Sequence, residues 1–511
     1  MARVASNIEP QFMKTTTLHL HPSFTVAEVD PRVFGGFLEH LGRAVYDGIY
    51  KPESAHADDL GCRTDTLDAL RRLSFTAMRY PGGNFVSGYH WQDAVGPRAK
   101  RPVTRDLAWH SLETNQFGPN EFIELCGRMD WTPMLAVNLG TGTPEEAKNW
   151  LEYCNIGVGS KWSNLRAEHG YEDPFNVKLW CLGNEMDGPW QMGHMPAERY
   201  ADLTKQTARL MKMCDPGVEV VACGSCGTEL PTFMDWDRKV LEYLGEDCDY
   251  LSIHSYVGNS EDDTPEFLAT IKGVDRQIEA ADAACKAAYY RNRSKRRTYI
   301  SFDEWNVWYR ARSNEHVDGS GRFAPHLLEE VYNLEDALVV AQYMNSFIRH
   351  ADSVKIANIA QIVNVIAPIL TQGDNLLLQT IFFPIEMYSR RRTGTSLEVR
   401  VDGPGYETRK FGKVDYIDAS AILNEDKLSV FLVNRDASSP MQVKLDTAGM
   451  KVKGVLCAEV VCGPDAKSTN TFENPNVVRA RPHDEISIKD GVAIIEVPAM
   501  SVFAGTLLIE R

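Results

Sequence analysis

From residue 33 to about residue 363 the chain repeats one pattern eight times, a short apolar run followed by a stretch with helical spacing. The runs are Val33–Leu38, Phe75–Tyr80, Pro133–Val137, Val177–Leu182, Val218–Cys223, Tyr250–His254, Thr298–Phe302 and Ile356–Ile362. Most are continuous, as parallel strands covered on both faces require. Between them, Thr64–Leu73 places Leu67, Leu70 and Leu73 on one helical face, and Glu121–Met129 does the same with Phe122, Leu125 and Met129. Further helices are predicted from Pro144, from Pro196 to Met213, over Phe267–Tyr290 and over Asp336–Arg349. Eight strands separated by helices predict an α/β fold, the (β/α)8 TIM barrel, with its active site at the C-terminal strand ends. A doubly wound open sheet would carry a glycine-rich phosphate turn after the first strand. Phe34-Gly-Gly-Phe37 does not match GxGxxG.

After about residue 394 apolar and polar residues alternate instead. Ser396–Val401, Asp415–Leu423, Leu428–Asn434, Met441–Leu445, Val455–Val461, Glu485–Ile488, Val492–Val497 and Val502–Ile509 are separated by turn signals such as Asp490-Gly491, with no long helix between them. This predicts an antiparallel, jelly-roll-like β-sandwich. The strand-like Thr15–Val29 has no sheet to join near the first barrel run, so it is expected to pair with the sandwich. The chain thus divides into an N-terminal segment (1–30), a catalytic barrel (31–390) and a C-terminal sandwich (391–511).

With 54 Lys+Arg against 70 Asp+Glu the net charge is −16, which argues against nucleic acid or any other polyanion as partner. Val354–Leu370, the most apolar run, is broken by Lys355, Asn358, Gln361 and Asn364, so no membrane span is expected. Met1–Gln11 lacks the basic-then-apolar pattern of a secretory signal and reads as a short disordered lead-in. The odd count of 11 cysteines suits reduced thiols in a cytoplasm. Cys223-Gly-Ser-Cys226 has no second pair to complete a zinc site, and reads as buried small residues. The basic run Arg291–Arg297 reads as a solvated helix end. No cofactor motif is present, and no metal is expected.

The proposed strands end in hydrogen-bonding and aromatic groups: Glu39-His40, Arg79 to Asn84, Asn138, Asn184-Glu185, His254 to Tyr256, Asp303 to Asn306, and Gln361. A barrel converges these on one pocket, and this mixture suits a glycan. Glu185 and Glu304 follow strands 4 and 7, on opposite sides of the barrel. Carboxyls about 5–5.5 Å apart suit a retaining glycosidase, and a wider gap would admit water for inversion. Glu185 would act as general acid and then base, and Glu304 as nucleophile. The bland alternative, two loop acids, is weakened by their placement at the ends of apolar runs. Glu39 reads as a sugar-hydroxyl ligand against an exposed acid, and Asn84 and Asn184 as ligands against turn formers. Tyr256 reads as a phenol aimed at Glu304 against a core residue, and His254 as either structural neighbour or proton shuttle. Gln361 would be costly unpaired in an apolar strand, so it needs a partner, most simply substrate. Trp109 and Trp190 are each either packing or sugar platform, and Trp305 and Trp308 suit packing. Val307–Glu335, with Gly319-Ser-Gly321, reads as a long loop shaping the leaving-group side.

The segments FGGFLEHLGRAVYDGIY, MRYPGGNFVSGYHWQD, DLAWHSLETNQFGPNEF, LWCLGNEMDGPWQMGH, SIHSYVGN, SFDEWNVWY and ANIAQIVNVIAPI resemble the hallmarks of glycoside hydrolase family 51, best known for α-L-arabinofuranosidases. The resemblance runs from about residue 15 to the C-terminus. It implies a retaining clan-A barrel with acid/base Glu185 and nucleophile Glu304. It also implies that Glu39, Asn84, Asn184, Tyr256 and Gln361 line the −1 subsite, that Arg79 and His254 support the carboxylates, and that Trp109 sits at the pocket rim. A homo-oligomer, by resemblance a hexamer, is implied as well. The expected activity is exo-release of terminal α-L-arabinofuranosyl residues from arabinan- or arabinoxylan-derived oligosaccharides. The rivals are the same machinery on a β-xyloside or β-glucan, and a non-catalytic glycan-binding protein.

Overall fold

In the computed structural model, which describes residues 13–311 and 321–510, eight parallel strands close into a barrel. They are β1 (Gly35–Phe37), β2 (Ala77–Tyr80), β3 (Thr132–Val137), β4 (Leu179–Leu182), β5 (Glu219–Cys223), β6 (Tyr250–Val257), β7 (Tyr299–Val307) and β8 (Val354–Ala360). Met134, Ala136, Leu179, Cys181, Val221, Tyr250 and Ile356 form a cluster inside the barrel. Their neighbours Leu135, Val137, Trp180 and Leu182 join the larger core beneath the helices. Burial on both faces is why these strands read as unbroken apolar runs.

The helix Thr64–Leu73 has the expected limits. Pro119–Met129, Pro144–Asn155, Ala197–Cys214 and Leu334–Arg349 lie within a turn of theirs. Proline or a capping side chain starts most of them: Thr143 accepts from Glu146 N, and Asn333 from Asp336 N. The single helix predicted over Phe267–Tyr290 is two, Thr264–Leu268 and Ile271–Asn292. At the break the Thr270 hydroxyl bonds to the Phe267 carbonyl, a local bond that competes with continuing the helix. The basic run is drawn onto acids, Arg296 onto Asp249 and Arg297 onto Asp282. Among the described residues no helix is long and apolar enough to cross a membrane, and Val354–Ala360 of the most apolar run is barrel strand β8. Met1–Gln11 and part of the loop after β7, including Gly319, lie outside the described residues.

The C-terminal β-rich region packs a five-stranded sheet on a seven-stranded one. Leu397, Ile417, Leu432, Val443, Ile495 and Phe503 lie in their shared core, with Leu18 and Leu20 from the N-terminal segment. Lys14–Leu20 inserts into the first sheet and Thr25–Glu28 joins the second at Thr395–Leu397. One pair departs from an antiparallel sandwich: Lys14–Leu20 runs parallel to Met441–Thr447. A strand arriving from the far end of the chain is not tied to its neighbour by a hairpin, so nothing forces the antiparallel sense.

A buried polar joint ties this region to the barrel. Asp418 accepts from Arg349 (3.0 Å) and Asn345 (2.7 Å) of the helix after β7, and pairs with Arg435 at 3.1 Å. Removing one member of a buried pair strands its partners' charge. Asp418→Ala should therefore lower unfolding free energy by about 3–5 kcal/mol. Glu510→Ala, which breaks the exposed Lys453 pair, should cost at most about 1 kcal/mol, with urea denaturation comparing the two.

Candidate active site

Strand β7 ends later than its apolar run suggested, because Asp303 to Val307 continue it. Its register slips against both neighbours. Ser252 faces Ser301 but His254 faces Glu304, and Ala357 faces Phe302 but Ile359 faces Trp305. Each shift adds one residue on β7, the signature of a β-bulge. Adjacent residues of a regular strand point to opposite faces. Here Asp303 and Glu304 both meet Arg79 and His254, while Trp305 packs outward on Tyr343 and Phe347.

Across the pocket, Glu185 follows β4 with φ 43°, the left-handed region that non-glycine residues seldom occupy. Glu185, His254 and Glu304 each offer an atom within 4.8 Å of the others, the one such triple among the described residues that could hold a metal. The three are also joined directly. His254 Nδ1 lies 2.8 Å from Glu185 Oε1 and 3.7 Å from Glu304 Oε2. Its Nε2 meets Ser252 Oγ at 3.1 Å and Asp303 Oδ1 at 3.4 Å. Glu304 accepts from Arg79 Nη1 (2.6 Å) and from the Tyr256 hydroxyl (2.8 Å). The other arm of Arg79 donates to Asn184 Oδ1 at 2.6 Å, and its Nε lies 3.3 Å from Asp303.

Glu39 forms the third side. Its Oε1 accepts from Phe85 N and Trp109 Nε1, both at 3.0 Å, and Gln361 Nε2 lies 3.3 Å from Oε2. Gln361 Oε1 accepts from Glu39 N, which supplies a protein partner for the amide. A side chain at Gly83 would bring its Cβ to 3.0 Å from Glu304 Oε1, so the backbone there packs tightly against the nucleophile candidate. Asn84 opens the turn Asn84–Gly88, half-buried, and its side chain makes no hydrogen bond among the described residues. Asn138 belongs to its own loop, where its oxygen accepts from Gly140, Thr141 and Gly142 N–H groups.

From the sequence, Asp303 stood at a strand end with no role and Trp190 was undecided, while Ser252 and Asp106 were not singled out. Asp303 and Ser252 anchor His254, and a bulge leaves no mark in residue types. Asp106 shapes the loop presenting Trp109 by accepting from the Ala108 and Trp109 N–H groups and the Ser111 hydroxyl. Trp190 donates to Glu185 Oε2 at 2.6 Å.

The charges sort themselves. Burial opposes the charge on His254, but Glu304, Asp303 and Glu185 push it up to about 10, so it is an imidazolium at neutral pH. Burial opposes ionisation of Asp303, and Arg79 and His254 nonetheless hold it below the ordinary carboxylate range. Burial and then the Glu304 charge keep the Tyr256 phenol well above its ordinary value, so it stays a donor. Burial, reinforced by Glu304, pushes Glu39 up to about 8 against the pull of Phe85, Trp109 and Arg79.

Both Glu39 and His254 bind protons more tightly folded than unfolded, from ordinary values of 4.5 and 6.5. Their stabilisation is complete below those values and is lost as pH rises through about 8 and about 10. The melting temperature should fall as pH rises from 4.5 to about 10. Glu39→Gln, which cannot ionise, should flatten the part between pH 4.5 and about 8 when melting is followed by calorimetry.

Comparison with known proteins places almost the whole chain among relatives of one family. Residues 69–275 match the model of the alpha-L-arabinofuranosidase 1 domain, and residues 303–501 that of the alpha-L-arabinofuranosidase C-terminal domain. The chain is 43% identical over 487 residues to an intracellular exo-alpha-(1->5)-L-arabinofuranosidase of Acetivibrio thermocellus, covering 94% of this chain and 97% of the relative. It is 42% identical over 501 residues to an exo-alpha-(1->6)-L-arabinofuranosidase of Bifidobacterium longum, covering 95% and 96%. A solved family 51 alpha-L-arabinofuranosidase from Bifidobacterium longum superposes with a TM-score of 0.93 at 38% identity, covering 97% of this chain and 99% of that one. The arabinose complex of the Thermotoga maritima enzyme gives 0.86 at 32%, covering 97% and 100%. With this identity along almost its whole length, the chain belongs to glycoside hydrolase family 51, the α-L-arabinofuranosidase family.

Proposed function

We propose that this chain is a retaining exo-α-L-arabinofuranosidase that releases terminal non-reducing α-L-arabinofuranosyl residues by double displacement. The observation that carries the mechanism is the approach of Glu185 and Glu304 oxygens to within 4.8 Å. That is the close spacing of a nucleophile and acid/base pair, about 5–5.5 Å between carboxyls, and it leaves no room for an inverting water.

Glu304, oriented by Arg79 and Tyr256, attacks the anomeric carbon. The bond to the leaving oxygen breaks as that oxygen takes the Glu185 proton, and an ester to Glu304 forms. Water then attacks the same carbon, gives its proton to Glu185, and the ester bond breaks to free arabinose and Glu304. His254 is already protonated, so it donates to Glu185 and does not carry the cycling proton. Glu39, Asn84, Asn184 and Gln361 bind sugar hydroxyls at the pocket floor, and Trp109 forms its rim.

Oligosaccharides from arabinan and arabinoxylan are the proposed substrates, taken in the cytoplasm after import. The relatives named intracellular support that location. Relatives of nearly equal identity are named for 1→5 and for 1→6 linkages, so linkage preference rests on residues outside the carboxylate pair. Family membership supports a homo-oligomer, with light scattering on the purified chain as its test.

Aryl α-L-arabinofuranoside should be cleaved well ahead of aryl β-xyloside, and the reverse preference would reassign the substrate. Glu185→Ala should lose on the order of 10²–10⁴ in rate with poor leaving groups. It should lose far less in glycosylation with an activated aryloxide, and azide should restore its turnover. Glu304→Ala should be inactive with every leaving group. Equal behaviour of the two variants across leaving groups would show the roles to be wrongly divided.

A further inference from the structure

Neither oxygen of the acid/base glutamate is left open. His254 Nδ1 meets Oε1 at 2.8 Å, and Trp190 Nε1 donates to Oε2 at 2.6 Å. Among the described residues no other donor reaches Oε2. The backbone around Trp190 is held: Gly188 N donates to Glu185 O, Gln191 N to Gly188 O, and the Gln191 amide to Ser87 Oγ. The indole itself is 54% exposed. It lies against Gly188, where a Cβ would stand 2.7 Å from its Cε2. The ring is therefore seated on a glycine and fastened by one hydrogen bond, with more than half of its surface open to solvent.

Double displacement asks opposite things of Glu185. It must be protonated to expel the leaving group and ionised to activate water. The imidazolium holds Oε1, so the proton that moves belongs to Oε2. An indole N–H can only donate, and a donor favours the ionised carboxylate. It also occupies the position that the leaving oxygen must take, within about 2.6–3.2 Å of Oε2.

We propose that Trp190 is a positioning residue for both half-reactions: the leaving group displaces its N–H from Glu185, and the returning indole holds Glu185 as the base that deprotonates water. Atoms balance as in the double displacement itself, on which this inference rests, because Trp190 gains and loses no proton. The other titratable groups facing Glu185 are His254 and Tyr256 on β6, Glu304 on β7, and Asp187 and Cys226 from the loops after β4 and β5.

The test is Trp190→Phe, which keeps a ring at the surface and deletes the donor. An activated aryl α-L-arabinofuranoside makes water attack limiting, so the acid limb of kcat reports Glu185 as base. That limb should move up by about one pH unit, and the alkaline limb of kcat/KM should move up with it. Gly188→Ala, which unseats the indole without removing it, should shift the same limbs in the same direction. Reduced rates with unmoved limbs in both variants would make Trp190 a packing surface only and overturn the inference. A wild-type chain that cleaves no arabinofuranoside would instead overturn the retaining mechanism beneath it.

Discussion

The fully buried guanidinium of Arg79 is the interaction on which the pocket depends. From β2 it reaches Asp303 and Glu304 on β7 and Asn184 after β4, and it lies 4.6 Å from the Phe37 ring centre on β1. Four acids, Glu39, Glu185, Asp303 and Glu304, converge at the barrel top, three of them buried and Glu185 partly so. Buried carboxylates are tolerable only when paired and hydrogen-bonded. Arg79 and the imidazolium of His254 supply two positive charges, and Glu39 lowers the count further by keeping its proton. The remaining three carboxyls, Glu185, Asp303 and Glu304, then share these two cations.

That arrangement requires Asp303 and Glu304 to point the same way, which a regular strand forbids. The bulge in β7 resolves the conflict, turning Glu304 to the pocket while Asp303 anchors His254 from below. On the opposite wall, the left-handed backbone at Glu185 aims that carboxylate at the same space. The two candidate catalytic residues both stand at backbone irregularities, where side-chain direction is set by local strain and register. β3, β4 and β5 pair without a register shift, while β8 carries an irregularity of its own opposite Ile300 and Ser301.

Much of this was legible in residue order. The eight apolar runs marked eight strands because burial on both faces leaves a one-dimensional trace. Arg79, Asn184, Glu185, His254, Tyr256 and Glu304 could be placed at strand ends, and the structure brings them into hydrogen-bond contact. Gln361 was expected to need a polar partner, most simply substrate, and the structure gives it a protein partner in Glu39. Asn138 was grouped with the pocket, but its amide folds back on its own loop, as a side chain two residues from a glycine turn readily does. Trp190 stood undecided between packing and platform, because its hydrogen bond depends on how the Glu185–Gln191 turn folds.

The sequence by itself determined the barrel, the strand-rich C-terminal region and the identity of the opposed glutamates, since periodicity and strand-end chemistry are local properties of the chain. Tertiary structure alone decided the approach of the Glu185 and Glu304 oxygens to within 4.8 Å, the paired inward acids of β7, the upward push of burial on the Glu39 carboxyl and the indole on Glu185. Each of these depends on register, burial or electrostatic coupling between residues far apart in the chain, and such quantities exist only once the strands have closed around them.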